Sequence, residues 1–122
     1  MSKTKVIRPW GSYSSLLLAD NHQVKEIVVA PGQRLSLQSH EHRSEHWIVI
    51  QGPALITVDD QEKLFNPGEH IFIPKKARHR LANPGTEPIE IVEVQLGDYL
   101  GEDDIVRYAD DYQRDVRKKD LK

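Results

Sequence analysis

The sequence of 122 residues contains no cysteine, one methionine and no long apolar run. The absence of cysteine excludes disulfide bonds and thiolate metal sites. No stretch has the length of a membrane span, and the start, MSKTKVIRPW, lacks the apolar core of a signal peptide. A net charge of −2 gives no indication of a nucleic-acid surface. We therefore expect a cytoplasmic protein with one modest core and no nucleic-acid or membrane partner.

Short β-rich runs separated by proline and glycine fill most of the chain. VKEIVVA ends at Pro31 and Gly32, RLSLQSH alternates apolar with polar residues, and HWIVIQ and ALITV flank Gly52 and Pro53. NPG separates KLF from HIFIP, and IEIVEVQLG closes the series. Many short strands with such punctuation favour an antiparallel sandwich or barrel. The prediction is an all-β fold, with one domain over residues 1–122.

The C-terminal segment has a helical pattern instead. Apolar and aromatic side chains recur there at helical intervals, at Ile105, Tyr108, Tyr112 and Val116. Asp103 or Asp104 is placed to cap the start of a helix, a simpler role than that of a catalytic carboxylate pair. This pattern predicts a short helix over about 103–117 that packs on the barrel by one face.

Three of the six histidines fall within seven residues, beside a glutamine and a glutamate. On one strand, Gln38, His40 and His42 would share a face, Glu45 follows, and His79 lies well downstream. Two imidazoles, a carboxylate and an amide oxygen suit a divalent transition metal. The alternative from spacing alone is a solvated loop rich in histidine.

Two spaced motifs contain these residues. The first runs Gly32, five residues, Gln38, one residue, His40, four residues, Glu45, six residues, Gly52. The second runs Gly68, five residues, Pro74, four residues, His79, three residues, Asn83. Together they resemble the two cupin motifs, with Gln38 where a first histidine is frequent and Lys76 in place of the inner glycine. The resemblance implies a cupin double-stranded β-helix, or jelly-roll barrel, in which both motifs line one interior.

Four further segments narrow the resemblance: RPWGSY, LSLQSHEHRSEHW, HRLANPG and EVQLGDYLGEDDIVR. From about Arg8 to about Arg114 the chain is similar to type II mannose-6-phosphate isomerase. More narrowly, it resembles the C-terminal isomerase domain of bifunctional mannose-1-phosphate guanylyltransferase/mannose-6-phosphate isomerase. This implies interconversion of mannose 6-phosphate and fructose 6-phosphate through an enediolate, feeding GDP-mannose and polysaccharide synthesis. The sequence shows no Gly-rich phosphate loop, so guanylyltransferase activity is not predicted, and a separate guanylyltransferase is an expected partner.

The resemblance implies a metal held by Gln38, His40, Glu45 and His79. His42 is the alternative ligand, if His40 and His42 bind as a pair and Gln38 does not. Zinc is the expected metal, and cobalt, manganese or nickel are substitutes. Such a metal would stabilise the negative charge that develops on a sugar oxygen.

Proton transfer needs a base beside the reacting carbon. Lys25 alternates with Ile27 and Val29, so it faces the predicted interior, where burial and a nearby metal favour a neutral amine. Glu93 and Gln95 share a face of the last strand and are similar candidates, for the base or for binding hydroxyl groups. The sequence leaves the choice among the three open.

The phosphate needs fixed positive charge, for which Arg43, Arg80 and Arg107 are candidates because guanidinium binds phosphate in a two-pronged geometry. The run KKARHR adds positive charge beside His79. The sequence leaves open which arginine binds, and a generic basic surface loop would look similar.

Three other functions compete with the isomerase. They are an Fe(II) oxygenase with two histidines and a carboxylate, a non-catalytic sugar-phosphate binding module, and a metal-free sugar-nucleotide isomerase or epimerase. The arginines favour a phosphosugar, and the intact ligand set disfavours the binding module. A homodimer is expected because a small barrel leaves sheet edges to protect.

Overall fold

The computed structural model describes residues 4–114, which form eleven strands and no helix. The strands are β1 (Lys5–Arg8), β2 (Gly11–Leu18), β3 (His22–Val29), β4 (Leu37–Ser39), β5 (Arg43–Gln51), β6 (Ala54–Val58), β7 (Gln61–Phe65), β8 (His70–Ile73), β9 (His79–Ala82), β10 (Ile89–Gly97) and β11 (Val106–Ala109). Over this range no helix of a length and apolar character that could cross a membrane is found.

The strands form two antiparallel sheets. One has the order β1-β2-β3-β10-β5-β8 and the other β11-β4-β9-β6-β7. Buried side chains from both sheets form one apolar core, which includes Ile27, Val49 and Ile91 from the first sheet and Ile56 and Leu81 from the second. The predicted all-β architecture is confirmed.

Glycine and proline stand at the chain reversals that the sequence indicated. Gly32 follows β3 with φ 74°, and Gly68 lies between β7 and β8 with φ 89°. Both values fall in the left-handed region, which glycine enters without the steric penalty of a Cβ atom. The Gly52–Pro53 peptide between β5 and β6 is cis.

The predicted helix over about 103–117 is wrong where the structure describes it. Residues 103–105 form a turn and loop, and β11 then pairs antiparallel with β4, with Arg107 opposite Gln38. Tyr108 adds a side-chain hydrogen bond from Oη to Ser39 Oγ, 2.9 Å long. The free edge of β4 thus supplies backbone partners that local helical spacing does not reveal. Residues 115–117 of the predicted helix lie outside the described range.

Three neighbouring strands, β3, β10 and β5, give the barrel an apolar end and a polar end. At the apolar end, Ile91 stands in register with Ile27 on one side and Val49 on the other. Two residues further along β10, Glu93 stands in register with Lys25, and both side chains are buried. The other buried polar side chains of these three strands lie at the same end as Lys25 and Glu93: Gln23, Arg43, Glu45 and Gln95. Buried polar groups need partners, so this end of the barrel is where a functional site is expected.

Candidate functional site

Two histidines and a glutamate converge at the polar end of the barrel. His40 follows β4, Glu45 lies on β5 and His79 begins β9, and one ligand atom of each lies within 4.8 Å of the others. His40 Nε2 is 3.3 Å from Glu45 Oε2, and His79 Nε2 is 3.9 Å from Glu45 Oε1. All three side chains are at least 97% buried. The sheet pairing therefore brings the two separate sequence motifs to one point.

Backbone carbonyls orient both imidazole rings. His40 Nδ1 donates to the Asp104 carbonyl at 2.7 Å, and His79 Nδ1 donates to the Ala77 carbonyl at 3.0 Å. A carbonyl accepts only, so each ring carries a proton on Nδ1 and turns Nε2 toward Glu45. Burial, followed by the charge of Arg43, lowers the pKa of His40 to about 3. Two imidazoles and a carboxylate, oriented in this way, fit a divalent transition metal.

Of the two remaining candidate ligands, Gln38 lies beside the convergent group and His42 lies outside it. Gln38 stands in register with His79, and its amide nitrogen donates to Ser36 Oγ at 3.0 Å, which leaves the amide oxygen for another partner. The expected shared strand face of Gln38, His40 and His42 is wrong, because β4 ends at Ser39 and the chain turns. The His42 side chain is 56% exposed and does not join the convergent group.

Arg43 contacts this group directly. Its Nε donates to Glu45 Oε2 at 2.8 Å, and its Nη2 donates to His40 Nε2 at 3.2 Å. Its Nη1 is buried and has no hydrogen-bond partner among residues 4–114. Burial raises the pKa of Glu45, but the neighbouring His79 and Arg43 outweigh it and hold that pKa below its ordinary value. A buried, unpartnered guanidinium nitrogen beside a carboxylate indicates a place for an acceptor on a ligand.

Glu93 and its neighbours form the adjoining layer. Trp47 Nε1 donates to Glu45 Oε1 at 2.9 Å and to Glu93 Oε2 at 3.2 Å, and Gln95 Nε2 donates to Glu93 Oε1 at 2.5 Å. Burial, followed by the charge of Glu45, raises the pKa of Glu93 to about 6. Lys25 faces the interior as predicted, but its ammonium pairs with Glu102. Glu93 is therefore a buried carboxylate with a raised pKa, a combination that is frequent in functional sites.

A cavity of about 80 Å³ opens beside this layer. Five basic side chains line it: Arg8, Lys25, Arg43, Arg107 and Arg114. Gln38, Glu93 and Glu102 line it as well. Arg80 does not. Its Nε and Nη2 donate to the backbone carbonyls of Leu35 and Ala109, so the structure gives Arg80 the role of joining strands.

Some residues of the site were not indicated as such by the sequence. Trp47 is two residues from Glu45 on β5, so strand alternation could have placed its indole on the inner face. Glu102 and Asp104 lie in the loop after β10, and no local pattern links them to residues 25 and 40–42. The predicted helix cap at Asp103 or Asp104 is wrong for Asp104, whose carboxylate accepts hydrogen bonds from the backbone N–H groups of Glu41 and His42.

The sequence matches known relatives over most of its length. The family model described as mannose-6-phosphate isomerase C-terminal matches residues 1–110. The alginate biosynthesis protein AlgA of Pseudomonas aeruginosa is 56% identical over 110 residues, which are 90% of this chain and 23% of that protein. A mannose-1-phosphate guanylyltransferase of Escherichia coli is 51% identical over 110 residues, with the same two coverages. The chain thus spans about a quarter of the length of these relatives.

The fold is shared with solved cupin structures. A cupin-2 domain protein of Rhodospirillum rubrum superposes with a TM-score of 0.71 at 16% identity, over 84% of this chain and 78% of that chain. The capsular polysaccharide assembling protein CapF of Staphylococcus aureus gives a TM-score of 0.75 at 18% identity, over 86% of this chain and 32% of that chain. These likenesses show the double-stranded β-helix fold. With the match over residues 1–110, the chain belongs to the mannose-6-phosphate isomerase C-terminal family.

Proposed function

We propose that this protein is a metal-dependent aldose–ketose isomerase that interconverts mannose 6-phosphate and fructose 6-phosphate through an enediolate. The observation that carries the proposal is that Arg43 bonds two members of a 2-His-1-carboxylate group and also lines, with Glu93 and four other basic side chains, the neighbouring cavity. An isomerase of this class needs an electrophile at the sugar oxygens, a base at the neighbouring carbon, and positive charge for the phosphate. The polar end of the barrel offers residues for all three.

The metal would be held by His40, Glu45 and His79, with the Gln38 amide oxygen as a fourth ligand. Zinc is the proposed metal, because imidazole and carboxylate ligands suit it. The same ligands also accept cobalt or manganese. When bound, it supplies electrophilic stabilisation of the charge that forms on the substrate oxygen. Arg43 Nη1 would then donate to a sugar oxygen at the reacting C1–C2 unit. This is the nitrogen of the Arg43 guanidinium that has no hydrogen-bond partner among residues 4–114.

Glu93 is the proposed base. It removes the proton from C2 of open-chain mannose 6-phosphate, the C2–H electrons form the C1–C2 double bond, and the C1 carbonyl electrons move onto O1. The proton is then returned at C1, while the O2 hydroxyl gives its proton to O1 and becomes the C2 carbonyl of fructose 6-phosphate. Trp47 and Gln95 hold the carboxylate in place by the hydrogen bonds described above. Lys25 binds a substrate hydroxyl group, since its ammonium is paired with Glu102 and donates rather than accepts. Gln95 is assigned no hydroxyl group, because its amide nitrogen donates to Glu93 and its amide oxygen accepts from Gln23.

The phosphate is proposed to bind away from the metal group. In a hexose 6-phosphate the phosphate and the C1–C2 unit are at opposite ends of the carbon chain. Arg43 touches His40 and Glu45, so it serves the reacting end. Arg107, with Arg8 and Arg114, supplies the remaining cationic lining and is proposed to bind the phosphate.

The biological setting is proposed from the relatives. AlgA is an alginate biosynthesis protein, and other relatives are xanthan biosynthesis proteins and mannose-1-phosphate guanylyltransferases. We infer that this chain supplies mannose 6-phosphate to polysaccharide synthesis in the cytoplasm, beside a guanylyltransferase carried on the same polypeptide or on a separate one. A homodimer is proposed for the barrel.

A coupled assay tests the isomerase. Protein stripped with a chelator is expected to lose conversion of mannose 6-phosphate to fructose 6-phosphate and to regain it with Zn²⁺, Co²⁺ or Mn²⁺. His79→Ala should lose metal and turnover, whereas the matched variant His42→Ala, at an exposed histidine outside the convergent group, should keep both. A folded protein that binds metal and mannose 6-phosphate without turnover would instead be a binding module.

A second candidate is an Fe(II) oxygenase, favoured by the ligand set itself. Two histidines and one carboxylate are the ligands typical of non-haem Fe(II) oxygenases. The basic lining of the cavity favours an anionic phosphosugar over an uncharged oxygenase substrate. Oxygen uptake by the iron-loaded protein, with no isomerase activity, would favour the oxygenase.

A further inference from the structure

One residue of the loop after β10 makes three hydrogen bonds to the segment that carries the first histidine of the metal group. The Asp104 carbonyl accepts from His40 Nδ1 at 2.7 Å. Its carboxylate accepts from the backbone N–H of Glu41 through Oδ1 and of His42 through Oδ2, both at 2.9 Å. Asp104 is 8% exposed, so the contacts are shielded from water.

These contacts act together on the His40 ring. The segment 40–42 lies just beyond the end of β4, where the strand ladder stops and the His40 carbonyl accepts from the backbone N–H of Lys76 at 2.8 Å. The bidentate carboxylate fixes that backbone relative to the loop, which keeps the Asp104 carbonyl opposite His40 Nδ1. Because Nδ1 must then carry the proton, Nε2 stays an acceptor and faces Glu45 and Arg43.

We propose that Asp104 is a positioning residue for the metal centre, which selects the Nδ1–H tautomer of His40 and aims its Nε2 into the site by clamping residues 40–42. The inference rests on the proposed metal site and assigns Asp104 no contact with substrate. Partners that orient a ligating histidine contribute about 10- to 100-fold to metal affinity in known sites, which sets the size of the expected effect.

The first test is the tautomer of His40 in metal-free protein, read from long-range ¹H–¹⁵N NMR correlations of the imidazole. The wild type should show the Nδ1–H form alone. Asp104→Ala should show a mixture of both tautomers at His40, with His79 unchanged because its partner is Ala77. Asp103→Asn is the matched control, since Asp103 lies in the same loop but bonds Tyr99 and not residues 40–42.

The second test is the affinity for Co²⁺, measured by chelator competition and visible absorption. Asp104→Ala should weaken Co²⁺ binding by about 10- to 100-fold, and Asp103→Asn should not change it. In a His40→Ala background, Asp104→Ala should have no more than about a twofold further effect, since it acts through the missing ring. If Asp104→Ala does not fold, Asp104→Asn, which keeps the shape but places an amide donor against a backbone N–H, takes its place.

Three results would overturn the proposal. They are an Nε2–H tautomer in the wild type, an unchanged Co²⁺ affinity in Asp104→Ala, and a loss of affinity that persists fully in the His40→Ala background. Neither readout requires turnover. A protein with these signals but no isomerase activity would therefore retain the role of Asp104 while rejecting the proposed reaction. An active isomerase in which Asp104→Ala leaves the His40 tautomer unchanged would keep the proposed reaction and reject the role of Asp104.

Discussion

Arg43 and Glu45 are joined by a buried ion pair in which Arg43 Nε lies 2.8 Å from Glu45 Oε2. The same guanidinium bonds His40 Nε2, so it engages two of the atoms that would ligate a metal. Metal and arginine therefore compete for these lone pairs, while the arginine supplies charge that the substrate needs. Removing the Arg43 side chain should therefore change metal affinity and turnover in opposite directions.

The first prediction follows from that competition. Arg43→Leu should strengthen Zn²⁺ binding by about tenfold or more, because a nearby like charge and two competing hydrogen bonds are removed. Turnover should fall by about 100-fold or more, because a donor to developing charge is lost. Chelator competition and the coupled assay measure the two effects. Arg34→Leu, at an exposed arginine paired with Asp111, is the control, and weaker Zn²⁺ binding in Arg43→Leu would contradict the competition.

Glu93→Gln tests the proposed base. Glutamine keeps the shape but does not accept a proton, so kcat should drop by about 10²- to 10⁴-fold while metal remains bound. NMR in D₂O should show that exchange of the substrate C2 proton with solvent stops in parallel. Glu90→Gln changes a glutamate on the same strand that faces away from the buried side, and it should leave both signals intact. Equal loss in the two variants would rule out a specific role for Glu93.

Arg107 and Arg80 should give opposite phenotypes. Arg107→Ala removes a cavity-lining charge, so the KM for mannose 6-phosphate should rise about tenfold or more. Arg80→Ala removes two hydrogen bonds to backbone carbonyls, so the free energy of unfolding should fall by about 1–3 kcal/mol with KM unchanged. Steady-state kinetics and urea unfolding separate the two. A raised KM in Arg80→Ala alone would reverse the assignment.

Asp110 predicts a pH-dependent contribution to stability. Burial raises its pKa, but hydrogen bonds from Arg114 and from the backbone of Tyr112 and Arg114 outweigh burial and lower the pKa below its ordinary value of 3.8. A lowered folded pKa means that the ionised form stabilises the fold above that ordinary value, and that the stabilisation disappears as the pH falls through the folded pKa.

Asp110→Asn should therefore reduce the free energy of unfolding by about 1–2 kcal/mol at pH 7 and by much less near pH 2. Urea unfolding at both pH values measures the difference. Asp111→Asn, at the more exposed neighbouring carboxylate, should have a smaller effect at pH 7. A deficit of Asp110→Asn that is the same at both pH values would show that its charge is not responsible.

The inner and outer faces of the long strands were predictable because side chains alternate along a strand whatever the tertiary structure. Alternation predicts that Lys25 faces the interior and that Glu93 and Gln95 share one strand face, and all three are buried. The motif spacing also selected His40, Glu45 and His79, which the fold brings together. The alternation failed at His42, because β4 ends three residues earlier and the chain turns.

The C-terminal segment shows the opposite situation. Its helical spacing is a local signal, but the partner that decides its conformation is the edge of β4, about seventy residues earlier in the chain. Arg80 likewise resembles a phosphate ligand by residue type, and only the positions of the Leu35 and Ala109 carbonyls show that two of its nitrogens donate within the protein.

The order of residues is enough to predict the β-rich class, the turns at glycine and proline, the two motifs and the chemical type of the side chains proposed to bind a metal. These depend on backbone preferences and on residue identity, which are local. The folded structure was needed to show that Arg43 touches His40 and Glu45, that Glu102 pairs with Lys25, and that Asp104 bonds the segment 40–42. Such contacts join residues far apart in the chain, so their existence depends on how the two sheets close around the site.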